Sequence, residues 1–376
     1  MRTPVMDMFG LDAPIFAFSH CRHVVAEVSR AGGMGTLGTS HITTEQLEIE
    51  LSWIDQHAQG KPYGVDVLFP SAPPQEFENL TPETAQQYLP REHRDFVAAL
   101  LKQHNVPEFS REESDEAFRH YMSNMTKTHR EAERRLEVVY RHPQARMIVS
   151  GLGTPPAHVI ERSHSLGLKV CGLIGHPRHA KRQADAGVDI IVAQGWEAAG
   201  HTGEISTMVL VPEVVDLVAP VPVLAAGGIG RGRQLAAGLA LGAQGVWCGT
   251  VWLGTVESEV PPELKRKLFA ASSSDTVRSR CNTGKPTRRI VSAWSMAWES
   301  PAAPKTLPMP LQSMLINEAM ERINKYKADA LLTYPAGQIV GELREETTVR
   351  QVVYDMLAEF SDTLDRLNDA VDHGAE

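Results

Sequence analysis

The chain has 376 residues, and 37 Lys and Arg against 46 Asp and Glu give it a formal net charge of −9. This acidic balance argues against a nucleic-acid-binding protein, which would show basic patches. Hydrophobic residues make up 42% of the chain, a share that excludes a largely disordered protein and allows a sizeable core. No apolar run reaches the roughly 18 residues of a membrane span, and the amino-terminal segment lacks an apolar signal core, so neither a membrane span nor export is expected.

The four cysteines, Cys21, Cys171, Cys248 and Cys281, are far apart in the sequence. None belongs to a CxxC pair or has the spacing of metal ligands, so we expect reduced thiols and no metal site. Composition and cysteines together predict a cytoplasmic enzyme or binding protein, and the choice between these two depends on particular residues.

Short apolar runs rich in β-branched residues alternate with helix-like stretches, a pattern typical of βα units around a parallel sheet. The predicted strands lie at 14–18, 35–38, 63–69, 146–150, 169–174, 188–193, 221–226 and 244–248. Most are followed by a predicted helix, at 23–30, 44–59, 155–167, 177–186, 207–218 and 231–241. Eight strands with intervening helices indicate an α/β protein with a (β/α)8 TIM barrel. An open, doubly wound sheet would carry a Gly-rich phosphate turn after its first strand, and this chain has none there.

Two segments interrupt the alternation. Residues 71–142 are polar and strand-free, with helical periodicity at 90–104 and 111–141, and we interpret them as a helical insertion over one face of the sheet. A loop that closes on a substrate is the alternative, but no residue there supports it.

After residue 253 the sequence predicts a helix at 257–271, a Pro-rich loop at 286–310 and a helix at 313–328. We therefore expect a barrel over residues 1–255 with the insertion at about 71–142, and a small helical lid or substrate subdomain over 256–330. Residues 331–376, with an amphipathic helix at 349–367, would return to the barrel.

Glycine-rich residues follow the sixth predicted strand, at the end of the barrel where active sites lie. Gln194, Gly195, Gly200 and Gly203 surround His201, and the small residues allow the backbone to approach a flat ligand closely. His201 is the side chain there that titrates near neutrality. A Gly-rich loop with an incidental surface histidine is the alternative interpretation.

Glycine turns also follow the seventh and eighth predicted strands, where barrels hold phosphate groups. Gly227 and Gly228 open a helix and present backbone N–H groups to an anion, while Gly249 and the hydroxyl of Thr250 complete the site. Alternatively, these glycines only permit tight turns. A phosphate site beside a glycine-lined flat pocket indicates a phosphorylated planar cofactor, and flavin mononucleotide (FMN) fits best.

The order of these motifs resembles the nitronate monooxygenase (2-nitropropane dioxygenase) family. The matching residues are Gln194, Gly195, Glu197, Ala198, Gly200, His201 and Gly203, then Ala226 to Ile229, and Gly249 with Thr250. The segments RAGGMGTLG at 30–38, PMPLQ at 308–312 and AGQ at 336–338 also look like that family. The resemblance covers most of the chain except about 71–142.

The resemblance implies an FMN-bearing barrel with a small helical domain over the active site. It places the flavin against Gln194, Gly195, Gly200 and Gly203, and its phosphate against Gly227, Gly228, Gly249 and Thr250. It adds Gln338 as a cofactor contact and makes His201 the catalytic histidine.

This chain departs from the family at the end of the first strand. The family commonly has Gln-Ala-Pro-Met there, with the Met against the flavin, whereas this chain has Ala17, Phe18, Ser19 and His20. Ala199 also replaces one of two glycines that usually precede the histidine. His20 is therefore either a second acid/base group or a structural histidine.

The leading functional hypothesis is FMN-dependent oxidation of alkyl nitronates by O2 to a carbonyl compound and nitrite. The alternative keeps the fold and flavin but uses NAD(P)H to reduce an enoyl thioester or a quinone. A purine-nucleotide dehydrogenase would need a cysteine after the sixth strand, and none lies between Cys171 and Cys248. A flavin-binding protein without chemistry would have no need of His201. We expect a small-molecule substrate and O2 as partners, without nucleic acid or membrane, and the sequence does not indicate an oligomeric state.

Overall fold

The computed structural model describes residues 2–40, 42–69, 81–124 and 129–372. Eight parallel strands close into a barrel, each hydrogen-bonded to its two neighbours. In barrel order they are β1 (Ile15–Ser19), β2 (Met34–Gly38), β3 (Tyr63–Asp66), β4 (Ala145–Ser150), β5 (Lys169–Ile174), β6 (Ile190–Gln194), β8 (Val223–Ala226) and β9 (Gly245–Cys248). The predicted (β/α)8 barrel is confirmed. A further short strand, β7 (Gly200–His201), follows β6 and lies outside the barrel.

Helices connect and surround these strands. They are α1 (Pro4–Phe9), α2 (Arg22–Arg30), α3 (Thr44–His57), α4 (Pro82–Ala85), α5 (Arg91–Gln103), α6 (Arg111–Asn124), α7 (His129–Val139), α8 (Ala157–Ser165), α9 (Pro177–Asp185), α10 (Thr207–Val218), α11 (Gly232–Ala240), α12 (Pro262–Ala270), α13 (Ala293–Trp298), α14 (Leu311–Lys325) and α15 (Val349–Asp372). Short 3-10 helices occupy Gln86–Tyr88, Thr250–Gly254 and Gln338–Glu342. Within the described ranges, no helix combines the length and apolar character needed to cross a membrane.

The described part of the insertion is helical, as predicted, and contacts both the barrel and the carboxyl-terminal third of the chain. The buried Arg135 of α7 donates a hydrogen bond to the carbonyl of Thr39, at the end of β2. On the other side, Arg322 of α14 donates to the carbonyls of Val106 and Pro107. The first predicted insertion residues, 71–80, lie outside the described residues, as do 125–128 between α6 and α7.

The prediction of a loop over 286–310 is wrong for the first part of that range. The structure has β10 (Thr276–Ser279) and β11 (Thr287–Ile290), an antiparallel hairpin, and α13 follows it. β7 pairs with β11 to complete a three-stranded sheet of order β10-β11-β7. The sequences TVRS and TRRI lack an apolar alternation, and a strand of two residues has no sequence pattern at all, so periodicity did not reveal this sheet. The division into three units stays a prediction.

The barrel interior is apolar over most of its depth. Phe16, Met34, Met147 and Trp247 pack with their neighbours in one buried cluster, to which α1 contributes Val5 and Met6. Such a filled interior leaves the carboxyl ends of the strands as the place where polar side chains can gather.

Asp66, the last residue of β3, is a carboxyl group buried at this end of the barrel, with 5% of its surface exposed. Its Oδ1 accepts a hydrogen bond of 3.0 Å from the amide of Gly151. Burial disfavours the charged form and raises the pKa of Asp66 to about 7.

This burial predicts a pH-dependent cost to stability. Between about pH 4 and pH 7 the unfolded chain loses the Asp66 proton while the folded chain keeps it, so the stability of the folded state falls as pH rises. Asp66→Asn keeps the acceptor for Gly151 and removes the titration. Its stability advantage over the unaltered protein should therefore grow by on the order of 2 kcal/mol from about pH 5 to about pH 8.

Chemical denaturation at the two pH values measures this change. Asp362→Asn, at an exposed position of α15, is the matched control and should show no such growth. An Asp66→Asn advantage that is the same at both pH values would show that Asp66 titrates as an ordinary carboxyl group.

Candidate active site

The candidate site lies where the carboxyl ends of β6, β8 and β9 meet, as predicted from the three glycine-rich stretches. The segment that follows β6 leaves the barrel, and its residues Gly200 and His201 pair with Arg288 and Thr287 of β11. His201 is thus held in a small antiparallel sheet and not in a free loop.

The imidazole of His201 faces the turn between β10 and β11. Its Nε2 lies 3.0 Å from Oγ1 of Thr283. Burial and, as a smaller cause, the positive charge of Lys285 lower the pKa of His201 to about 4. The ring is therefore neutral at ordinary working pH, which favours a proton-accepting role over the cationic one.

Gln194 and the glycines of the segment 194–203 fix the backbone around His201. The side-chain amide of Gln194 donates a 2.7 Å hydrogen bond to the carbonyl of His201. A Cβ on Gly195 would lie 2.1 Å from Oγ1 of Thr207, so this position accepts no side chain. A Cβ on Gly203 would lie 2.2 Å from the carbonyl oxygen of Gly175, which follows β5. These residues have packing roles that the sequence patterns did not show.

Glu197 and Thr207 tie this segment to the start of α10, and the sequence analysis assigned neither of them a role. A carboxylate oxygen of Glu197 accepts hydrogen bonds from the amide of Thr207 at 3.0 Å and from its hydroxyl at 2.8 Å. A carboxylate at a helix amino terminus satisfies free N–H groups and is stabilised by the helix dipole.

Two arginines of the hairpin hold Trp196, and the sequence analysis missed them as well. The guanidinium groups of Arg278 and Arg288 lie 4.9 and 5.0 Å from the centre of the Trp196 ring. Arg288, which is 3% exposed, also donates to the Trp196 carbonyl at 3.2 and 3.1 Å. Burial and the neighbouring Arg278 lower the pKa of the Arg288 guanidinium. These contacts anchor the segment before His201 to the hairpin.

Free backbone donors lie at the ends of β8 and β9, which are adjacent in the barrel. Gly227 and Gly228 adopt positive φ values of 106° and 66°, which only glycine takes readily. Within the described ranges, the amides of Gly228 and Gly249 form no backbone or side-chain hydrogen bond, and a Cβ on Gly249 would meet no atom within 4 Å. These two amides and the open space beside Gly249 suit an anion.

The amino terminus of α11 contributes less to an anion site than the sequence suggested. The amides of Gly230 and Arg231 donate to Oε1 of Gln234, and the amide of Gly232 donates to the carboxylate of Glu359 in α15. These donors are therefore already satisfied by the chain itself. An anion at this place would depend on the glycine turns and not on the first turn of α11.

Thr250 and Gln338 lie beside the same turns. Oγ1 of Thr250 accepts a 2.8 Å hydrogen bond from the amide of Gly337, which leaves its hydroxyl proton free to donate elsewhere. The backbone amide of Gln338 donates to the backbone carbonyl of Glu197 at 2.9 Å. The segment 336–338 thus joins the loop after β9 to the loop after β6.

His20 and Asp66 are two further titratable side chains at the carboxyl ends of barrel strands. Nδ1 of His20 lies 3.0 Å from the carbonyl of Gly38, and its ring contacts that of Phe18 edge-on at 5.2 Å. Asp66 was not singled out from the sequence, although a lone acidic residue inside the apolar strand predicted at 63–69 was an available signal. Over the described residues, no group of three or more His, Cys, Asp or Glu side chains could hold a metal ion, and the four cysteines are buried and free.

Comparison with known proteins gives relatives of similar sequence and fold. The chain is 50% identical to a provisionally named monooxygenase of Mycobacterium tuberculosis over 382 aligned residues. The alignment covers 99% of this chain and 100% of that protein. The fold of this chain matches that of nitroalkane oxidase from Streptomyces ansochromogenes with a TM-score of 0.77 and 26% identity, over 96% of this chain and 99% of the oxidase chain. FabK from Thermotoga maritima gives a TM-score of 0.71 and 25% identity, over 98% and 99% of the two chains.

The family model of the nitronate monooxygenases matches residues 9–359. This match spans the barrel, the insertion and the hairpin that holds His201. The chain is therefore an oxidoreductase that belongs to the nitronate monooxygenase family.

Proposed function

We propose that this protein is an FMN-dependent oxidase of alkyl nitronates that uses O2 and forms a carbonyl compound and nitrite. The observation that carries the proposal is a neutral, half-buried histidine in the segment after β6, at the end of the barrel where two glycine turns leave backbone amides unpaired within the described residues. Membership of the nitronate monooxygenase family and the similarity to nitroalkane oxidase support the same reaction.

The residues present fit FMN. Gly227, Gly228, Gly249 and Thr250 would hold its phosphate through backbone amides and one hydroxyl, because these donors lie together and lack side chains that would block a ligand. Gln194, Gly195, Gly200 and Gly203 would border the ring system, and Gln338 would close the cofactor site. When bound, FMN would supply the electron acceptor for the substrate.

The chain itself supplies the base. As a neutral imidazole, His201 is ready to accept the α-proton of a nitroalkane without first losing a proton of its own. The turn of the hairpin contacts the ring through Thr283, and burial is the main cause of its low pKa. The imidazolium form, which would hold a nitronate by charge, requires a pH near 4.

A reductase that takes electrons from NAD(P)H and passes them to an enoyl thioester or a quinone is the second candidate. The polar end of β1 favours it, because His20 stands where the family commonly has an apolar Met. Anaerobic mixing distinguishes the two reactions. If a nitronate bleaches the flavin and NAD(P)H does not, the oxidase is supported, and the reverse result supports the reductase.

A negative charge at Gly228 tests the cofactor site. Gly228→Asp places a carboxylate against a phosphate dianion and a Cβ 3.2 Å from Cβ of Glu197, so the purified variant should lose most of its bound FMN. Gly60→Asp, at an exposed glycine that also has a positive φ (75°), introduces the same side chain and similar backbone strain away from the site and should keep its flavin.

Absorbance of the purified proteins and chromatography of the heat-released cofactor measure this result. Release of FAD in place of FMN would contradict the cofactor assignment. A Gly228→Asp protein that is as yellow as the unaltered one would contradict the phosphate site.

The next prediction concerns His201. His201→Asn should keep its flavin, while reduction of the flavin by a neutral nitroalkane slows by at least about 10²-fold, the lower end of what a general base contributes. The preformed nitronate needs no proton removal and should lose much less activity.

Stopped-flow reduction with the two forms of one substrate measures both effects. Because His201 stays neutral down to a pH of about 4, the rate with the unaltered protein should not show a histidine limb between pH 5 and 8. Equal losses with nitroalkane and nitronate would exclude the base role, and wild-type rates with both would make His20 the next candidate.

A further inference from the structure

The turn between β10 and β11 carries a hydroxyl that no motif singled out. Oγ1 of Thr283 lies 3.0 Å from Nε2 of His201, 3.2 Å from the carbonyl oxygen of Lys285 and 3.3 Å from the Lys285 amide. A hydroxyl can donate one hydrogen bond and accept two, so in these three contacts Thr283 is the donor at most once.

Only one assignment satisfies all three partners when the ring is neutral. The Lys285 amide must donate to Thr283, and the Lys285 carbonyl can only accept, so it takes the hydroxyl proton. The remaining acceptor position of Oγ1 then receives a proton from Nε2 of His201. If Thr283 instead donated its proton to Nε2, the carbonyl of Lys285 would no longer receive a hydrogen bond from Thr283.

We propose that Thr283 is a positioning residue that holds His201 in the Nε2–H tautomer and thereby makes Nδ1 the nitrogen that accepts the substrate proton. Across the part of the chain that the structure describes, no side chain or backbone group is hydrogen-bonded to Nδ1. The nitrogen opposite Thr283 is thus the one available to a substrate. The role of Nδ1 as base rests on the proposed function, whereas the tautomer does not.

The turn is held in place by the start of α14, which gives the PMPLQ segment at 308–312 a physical role. Gln312 is fully buried, and its side chain donates to the carbonyl of Cys281 at 2.8 Å and accepts from the amide of Leu307 at 2.9 Å. The hydroxyl of Ser313 donates to the carbonyl of Asn282. Both backbone groups that precede Thr283 are therefore fixed, so its hydroxyl meets His201 at a defined place.

The tautomer is measured directly by ¹⁵N NMR of protein labelled at histidine. The chain has 15 histidines, and the His201 signals are identified by their absence from His201→Asn. We expect Nε2 in the protonated and Nδ1 in the unprotonated chemical-shift range. Nδ1 in the protonated range would overturn the proposal whatever the reaction of the enzyme.

Substitutions at Thr283 give the second measurement. Thr283→Val keeps the shape and removes the hydroxyl, so the His201 signals should move towards a mixture of tautomers. Flavin reduction by a neutral nitroalkane should fall about 10-fold, less than the effect of removing the base. Flavin content and the rate with preformed nitronate should stay within about twofold of the unaltered protein.

Thr283→Ser restores the hydroxyl and should return both the NMR signals and the rate towards those of the unaltered protein. A Thr283→Val protein with unchanged signals and rates would overturn the proposal, and so would a Ser variant that behaves like Val. If the unaltered protein turns over neither a nitroalkane nor its preformed nitronate, the proposed function fails, and the NMR signals still decide whether Thr283 sets the tautomer.

Discussion

The pairing of β7 with β11 is the contact on which the geometry of the candidate site depends. It involves two residues on each side, yet it takes His201 out of the barrel and places it in the sheet of the hairpin. Gln194 then holds the same backbone from the barrel side through the His201 carbonyl. Because both attachments are made by rigid elements, the imidazole has a defined orientation before any ligand binds.

Burial shifts the pKa values of several titratable side chains at the carboxyl end of the barrel and in the hairpin. It keeps His201 neutral by lowering its pKa, and it favours neutral Asp66 by raising its pKa. Arg288 is also buried, and its guanidinium donates to the Trp196 carbonyl and lies over the Trp196 ring, contacts that replace part of its lost hydration. Under the proposed function, the neutral imidazole of His201 takes a proton from a neutral substrate, and the substrate anion forms within the site.

Contacts of α15 limit which backbone donors at the ends of β8 and β9 a bound anion could use. Glu359 of α15 accepts from the amide at the start of α11 and pairs with Arg231 and Arg233, and these contacts hold the pKa of Glu359 near 2. A phosphate could not share those donors with a carboxylate. Donors for an anion would therefore have to come from the glycine turns, while α15 packs against α11.

The sequence by itself determined the barrel and which residues lie together at the carboxyl ends of its strands. Buried strands alternating with helices leave few other folds, and the carboxyl ends of parallel strands in a barrel always meet at one end, so His201, Gly228 and Gly249 were expected together. Only the tertiary structure decided how His201 is held. The strand pairing of Gly200 and His201 with β11, the contact of Thr283 with the ring and the occupation of the α11 amino terminus by Glu359 all join residues more than 80 positions apart. Such contacts leave no local periodicity, because each depends on where the folded chain returns and not on the residues beside it.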